Sequence, residues 1–133
     1  MPFKLSAFPL LAIVVVLYNI VAVLAKADLS VVFLSTPVPS GATLSISRGD
    51  ALVIVGLVLL YAEILKSTRT SAASILDHTL SMVVFIVCLV QFIVVKSAAT
   101  SHYFMIMMMT LLDVIAGYTV TIKGARRDYG PNS

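Results

Sequence analysis

The chain reads as an all-α membrane protein. Four transmembrane helices are expected in an antiparallel bundle, with a short β-hairpin-like outer loop between the first and second. Three observations predict this. Hydrophobic residues make up 60% of the 133 residues, against roughly 45–50% in a soluble domain. Charged residues are only 11%, against about 25%, and mean hydropathy is +1.09. The charges also stand in ones and twos at the ends of four apolar runs. So small a soluble domain has too much surface to clothe with so few charges, so lipid must cover most of the outside.

The first run, Ala7 to Ala25, contains no charge and reaches about 28 Å as a helix, enough to span. Lys4 and the Ala25-Lys26-Ala27 triplet also suit a signal peptide, but the run exceeds the 7–15 apolar residues of such segments. A helix over about 5–26 is expected. Residues 27–49 form the outer loop. There Ser30–Ser35 is β-branched and apolar, Thr36-Pro37-Val38-Pro39-Ser40-Gly41 is turn chemistry, and Ala42–Ser47 alternates apolar with polar. The second helix, about 50–68, opens on Asp50 as N-cap and is interrupted by Glu63. The third, about 75–96, follows a Ser74-Ile-Leu-Asp77 start signal. The fourth, about 102–123, is interrupted by Asp113. Only Lys96 to His102 join the last two, so they are antiparallel neighbours. A disordered tail is expected over 128–133, and the whole chain is one domain.

Orientation follows from the nine basic residues. With the N-terminus inside, Lys4, Lys66, Arg69, Lys123, Arg126 and Arg127 lie inside and Lys26, Arg48 and Lys96 outside. The positive-inside rule then puts both termini in the cytoplasm of a multi-pass protein of the plasma (inner) membrane. The net charge of +3 does not point to nucleic acid, because the basic residues form no patch or stripe.

Small and polar residues share one stripe per helix. On the second helix it runs through Gly49, Gly56 and Glu63, and on the third through Asp77, Ser81, Cys88 and Gln91. On the fourth it comprises Thr110, Asp113, Gly117 and Thr121, and on the first Asn19 and Ala22. Helix interfaces in lipid favour small residues for close approach and polar ones for interhelical hydrogen bonds. Gly56, Gly117 and Cys88 are the expected packing points. Asp113, Glu63, Gln91, Asn19, Ser81 and Thr110 are the candidate ion or contact site. Asp113 falls near the bilayer centre, where a charge costs at least about 2.5–3.5 kcal/mol and no Lys or Arg reaches the same depth. It is expected protonated, bonded to Gln91, Asn19 or Thr110, exposed in a watery cavity, or paired with another protein. Glu63 has Lys66 one turn on.

Other patterns carry less. Arg48-Gly49-Asp50 spells an adhesion tripeptide, but a helix start explains it. His102, Met105 and Met109 share a face and are soft enough for Cu(I), yet methionine is also ordinary apolar filler, and no metal or cofactor is assigned. His78 beside Asp77 is a pH-sensitive pair or a solvated helix end. No nucleophile–base–acid set, Walker loop or dinucleotide turn is present, so a non-enzymatic role is expected.

The four-helix layout, with Leu60-Tyr61-Ala62-Glu63 on the second helix, resembles the phosphate-starvation-inducible E family of small bacterial four-helix membrane proteins. The likeness spans the last three helices. It implies topology and no activity, and this chain has Gln91 where the family tends to carry a basic residue. The leading expectation is an accessory or assembly subunit, or a self-associating scaffold, among membrane lipids in a homo-oligomer or larger complex. The alternative is an oligomeric proton- or cation-coupled transporter or channel using Asp113 and Glu63.

Overall fold

The structure, a computed structural model, describes residues 9–67 and 72–128, with side chains over 9–66 and 76–119. Lys4, Arg69 and the tail beyond Asp128 lie outside the described residues. The chain is mostly helical with one small antiparallel sheet. Helix α1 (Leu11–Tyr18) runs on into a π-helical segment, Asn19–Leu24. Strands β1 (Val32–Pro37) and β2 (Thr43–Ser47) follow, then α2 (Arg48–Ser67), α3 (Ala72–Val94), a 3-10 turn (Lys96–Ala98) and α4 (Ser101–Asp128).

The hairpin forms where turn chemistry and alternation place it. Pro37 pairs with Thr43 and Val32 with Ser47, with an irregularity between Val32 and Leu34. Gly41 closes the turn at φ +92°, a conformation L side chains rarely adopt. The sheet feeds directly into α2. Ser47 Oγ accepts from the Asp50 amide at 3.2 Å, and Asp50 Oδ2 accepts from the Ser47 amide at 3.0 Å. This is a reciprocal capping box, so Ser47 is the N-cap and Asp50 sits one turn inside it, rather than capping as expected. The helix therefore starts at Arg48. On α3 the expected start signal is not used, because the helix already begins at Ala72. Thr100 caps α4, its Oγ1 accepting from the Tyr103 amide at 3.1 Å.

Specific contacts fix how the helices run. Gly49 faces the His102 ring and Gly56 the Met109 thioether, so α2 and α4 are parallel. Gln91 meets Tyr103 and Gly117 meets His78, so α3 and α4 are antiparallel. Leu10 meets Glu63 and Val14 meets Gly56, so α1 is antiparallel to α2. Helix α4 packs most extensively, against both α2 and α3, while α2 and α3 touch only briefly. Leu11, Val14, Tyr18, Cys88, Tyr103 and Ile106 are almost fully enclosed and form the apolar centre.

The outside is apolar and the inside holds the polar groups. Leu24, Val58, Tyr61, Ile93 and Val94 are 64–76% exposed, whereas Glu63, Asp77, His78, Ser81, Thr110 and Asp113 are buried. A water-soluble domain shows the reverse. Among the described residues two helices are long and apolar enough to cross a membrane, Leu76–Val94 with mean hydropathy 2.0 and Ser101–Thr119 with 1.2. The apolar stretch Leu11–Leu24 is shorter, and α2 carries Arg48, Asp50, Glu63 and Lys66 along its 20 residues.

Candidate functional site

Three helices and one helix start converge on Glu63. Helix α2 supplies Glu63 and, one turn later, Lys66. Helix α3 supplies Asp77 and Ser81, one turn apart on one face, and α4 supplies Asp113. The beginning of α1 supplies a backbone donor. The Leu10 amide donates to Glu63 Oε1 at 2.7 Å. The amides at a helix start have no intrahelical acceptor, and the helix dipole favours a carboxylate there.

Lys66 Nζ also donates to Glu63 Oε1, at 2.9 Å, and reaches Asp77 Oδ1 at 3.3 Å. The Asp113 carboxyl stands against Glu63 and Ser81, with Asp77 close enough to act on it electrostatically. Glu63 Oε2 and Ser81 Oγ are both buried, make no hydrogen bond of regular geometry, and have the Asp113 carboxyl beside them. His78 fits the same corner because Gly117 has no side chain: a Cβ there would lie 2.7 Å from His78 Cδ2. Two carboxyls thus contact one ammonium, and a third, Asp113, stands against Glu63. Glu63 is 0%, Asp77 2% and Asp113 3% exposed. Fully ionised, the cluster would hold a net −2 in a dry interior, which is not tolerated without compensation. Such a set keeps protons, and among the described residues no group of three or more His, Cys, Asp or Glu is placed to hold a metal ion.

The basic group at this site stands against the neighbours of Asp113, pairing with Glu63 and Asp77. The Lys66 stem carries its ammonium back to Glu63, and α3 brings Asp77 to the same point. Asp113 does not bond Gln91 or Asn19. Those two pair with each other, Gln91 Nε2 donating to Asn19 Oδ1 and Asn19 Nδ2 to Gln91 Oε1 at 3.2 Å. Asn19 also donates to the Val15 carbonyl at 2.8 Å. Tyr103 completes this second cluster, its hydroxyl donating to Gln91 Oε1 at 2.7 Å. Nearby, the Tyr18 hydroxyl meets Thr100 Oγ1 at 2.7 Å and the Ser97 carbonyl at 3.0 Å. Thr110 donates to the Met107 carbonyl at 2.6 Å and lies with Tyr103 against the buried Cys88 thiol.

The structure therefore divides the candidate residues into two layers. Glu63, Asp113 and Ser81 form the acid cluster, whereas Asn19, Gln91, Cys88 and Thr110 belong to a second layer with Tyr103. Gly56 and Gly117 stand at close approaches to Met109 and His78. His102, Met105 and Met109 have separate surroundings: His102 Nε2 is 3.0 Å from Asp50 Oδ1, Met109 packs on Gly56, and Met105 is exposed. Sequence reasoning missed Asp77 and Lys66 as members of one site. The one-turn spacing of Asp77 and Ser81, facing the Glu63–Lys66 turn, was the available signal. Tyr18 and Tyr103 gave none, since a tyrosine in an apolar run reads as packing. Compared with known proteins, the chain matches no family model, no curated protein and no solved structure.

Proposed function

We propose that this chain is a non-enzymatic, four-crossing bundle of the plasma (inner) membrane, with both ends cytoplasmic, that binds and releases a proton at the Glu63–Asp77–Asp113–Lys66 cluster. The class of activity is ion-coupled transport or conduction. One observation carries it: the Glu63 and Asp113 carboxyls meet side by side in a buried corner with the Ser81 hydroxyl, with Asp77 close by. Carboxylates inside a membrane span mark proton and ion pathways by default. The topology rests on the alternating directions of the four helices and on six of nine basic residues falling on one side under that topology. Helix α2 then crosses with its charges at its ends, apart from Glu63, which is enclosed.

The assembly role expected from the polar stripes has less to draw on. Glu63, Gln91 and Asn19 all bond within their own chain and Asp113 is buried against Glu63 and Ser81, so a partner or a second copy would have to use the apolar outer faces. Four helices enclose little space, and a path for anything larger than a proton would be completed by further copies.

The test is flux in reconstituted liposomes with an entrapped pH dye, driven by a potassium diffusion potential. The wild type is expected to acidify the lumen and Asp113→Asn to abolish this, with sodium or potassium substitution reporting whether a metal cation moves instead. Flux equal to that of empty liposomes, or unchanged in Asp113→Asn, sinks the proposal.

A further inference from the structure

Beside the start of α2 lies an apolar groove of about 340 Å³ that the acid cluster does not touch. Ala51, Leu52 and Val55 of α2, Val21 of the π-helical segment and Phe33 of β1 line it, together with Arg48. The spacing of Arg48, Ala51, Leu52 and Val55 is that of one helix face, so the groove follows α2 for about 10 Å. Main-chain bonds fix its shape. The Arg48 amide donates to the Val31 carbonyl and the Gly49 amide to the Leu29 carbonyl, both at 2.9 Å, which pins the approach to β1 against the start of α2. The strand beside the groove is apolar and uncovered: Val31, Val32, Phe33 and Leu34 are 39–60% exposed. A hairpin with such a strand belongs at a membrane boundary rather than in water.

Arg48 is the single charged residue on this groove. Its side chain is exposed, and among the described residues no carboxylate forms an ion pair with it. It stands in the first turn of α2, where the helix dipole disfavours a cation and favours an anion. The two acids closest in sequence are already engaged. Asp50 Oδ1 meets His102 Nε2 at 3.0 Å, and Oδ2 accepts from the Ser47 amide. Asp28 Oδ1 accepts from the Ser30 amide and hydroxyl at 2.9 and 2.6 Å, and Arg48 acts on it only through space. The guanidinium therefore has donors left for an anion from outside the chain, and it binds phosphate oxygens in pairs. A cation at one end of an apolar groove is complementary to a molecule with an anionic head and a hydrocarbon tail. A second copy of the chain fits less well, because under the proposed topology its outer acids are the same two engaged residues, Asp28 and Asp50.

Resting on the four-crossing topology proposed above, which puts the start of α2 at the outer surface, we propose that this groove is a binding site for an anionic phospholipid. The phosphate sits on Arg48, and one acyl chain lies along Ala51, Leu52 and Val55 beside Phe33. The apolar lining takes hydrocarbon from any lipid and so sets affinity without regard to the head group. Selection comes from Arg48 and the helix start. Both attract the phosphate, and both repel the ammonium that a zwitterionic head group carries. A lipid seated there touches the π-helical segment, β1 and α2 at once, and covers part of the strand that the chain leaves bare.

The experiment titrates the full chain in a neutral detergent with phosphatidylglycerol or phosphatidylcholine of the same acyl chains, and reads the lipid retained by native mass spectrometry. The wild type is expected to prefer phosphatidylglycerol. Arg48→Gln should weaken its binding about ten-fold or more and erase the preference. Lys96→Gln removes an outer cation that does not line the groove, and should change neither lipid. Val55→Trp fills the groove from a position 38% exposed, and should weaken both lipids with Arg48 in place; it carries the test if circular dichroism shows that Arg48→Gln misfolds. Equal binding of the two lipids by the wild type, undiminished binding by Arg48→Gln, or an equal loss in Lys96→Gln overturns the proposal. So does a lipid-free dimer that Val55→Trp splits, since a second copy would then cover the groove. Asp113→Asn is expected to stop proton flux and to keep the lipid. Flux that depends on Asp113 without selective lipid binding therefore refutes the lipid site alone, and selective binding without flux refutes the ion site alone.

Discussion

Lys66 is the only cation in contact with the buried carboxyls among the described residues, so its removal exposes what the cluster costs. In Lys66→Met the apolar stem is retained and the ammonium lost. Glu63 Oε1 keeps the Leu10 amide at 2.7 Å, but Asp77 Oδ1 loses its 3.3 Å partner. Breaking a buried pair by deleting one member costs about 3–5 kcal/mol. The Lys66 side chain is 19% exposed, so partial screening argues for the lower end, about 3 kcal/mol at neutral pH. The sign with pH follows from charge. When the carboxyls are ionised the ammonium offsets them, and its loss destabilises. When acid has protonated all three it is a lone buried cation, and its loss becomes neutral or favourable. The gap between Lys66→Met and wild type should therefore close as pH falls. The assay is unfolding in mild detergent by heat or added SDS, followed by circular dichroism. It should include a double-mutant cycle with Glu63→Gln, where a coupling of about 1 kcal/mol or more is expected. Additivity within about 0.3 kcal/mol, or a deficit independent of pH, would refute the cluster as described.

Three further outcomes follow from particular contacts. Gly117→Val should destabilise by about 1–3 kcal/mol through overpacking, because its Cβ would meet the buried His78 ring at 2.7 Å. Gly56→Ala should cost less, since the atom it meets is the flexible Met109 thioether; thermal scans in detergent compare the two. Gly41→Ala meets no atom within 4 Å, so any cost is conformational. About 1 kcal/mol or more is expected, visible as faster amide exchange confined to residues 32–47. Gln91→Leu leaves the Asn19 amide and the Tyr103 hydroxyl without their partner and should cost about 1–3 kcal/mol. The double variant Asn19→Leu/Gln91→Leu should recover part of that loss in the same scans.

Much of the local structure was legible. The hairpin followed from Pro37, Pro39 and Gly41 between two β-favouring runs, because turn chemistry acts over a few residues. The stripe on α2 was legible for the same reason: seven-residue spacing puts Gly49, Gly56 and Glu63 on one face whatever the helix packs against. Capping was less so. Asp50 and Ser47 are both good caps, and the choice between them was made by β2, which continues as far as Ser47. The partners of Asp113 were not legible. Depth was reckoned from helix ends, which placed Asp113 beyond reach of any basic residue. Such reckoning carries no information on which neighbouring helix leans in, nor on how far a lysine stem bends back. Asn19 and Gln91 were read as stripe residues facing the bundle or another chain, and their match to each other depended on the π-helical turn at Asn19, which no periodicity announces.

The acid cluster is also a consequence of how α2 and α4 pack. These helices lie side by side in parallel, with Gly49 against His102 and, one heptad on, Gly56 against Met109. Each glycine admits a large α4 side chain and lets the two backbones approach. One heptad further the α2 position is Glu63, and α4 presents Asp113 on the same seam. Two close approaches therefore deliver two carboxyls to contact at a third, where neither can turn away into lipid. From Ser101 to Asp113 the helical rise is about 18 Å, and from Arg48 to Glu63 about 22 Å. Under the proposed topology, a hydrocarbon layer of about 30 Å would hold the pair in its inner half. There Lys66 still reaches Glu63. A cluster held there for stability alone has a simpler alternative, since apolar residues of similar volume usually serve as well or better than buried ions. Its placement, with the Glu63 and Asp113 carboxyls side by side and the Ser81 hydroxyl against them, is what favours exchange of a proton over a purely structural role.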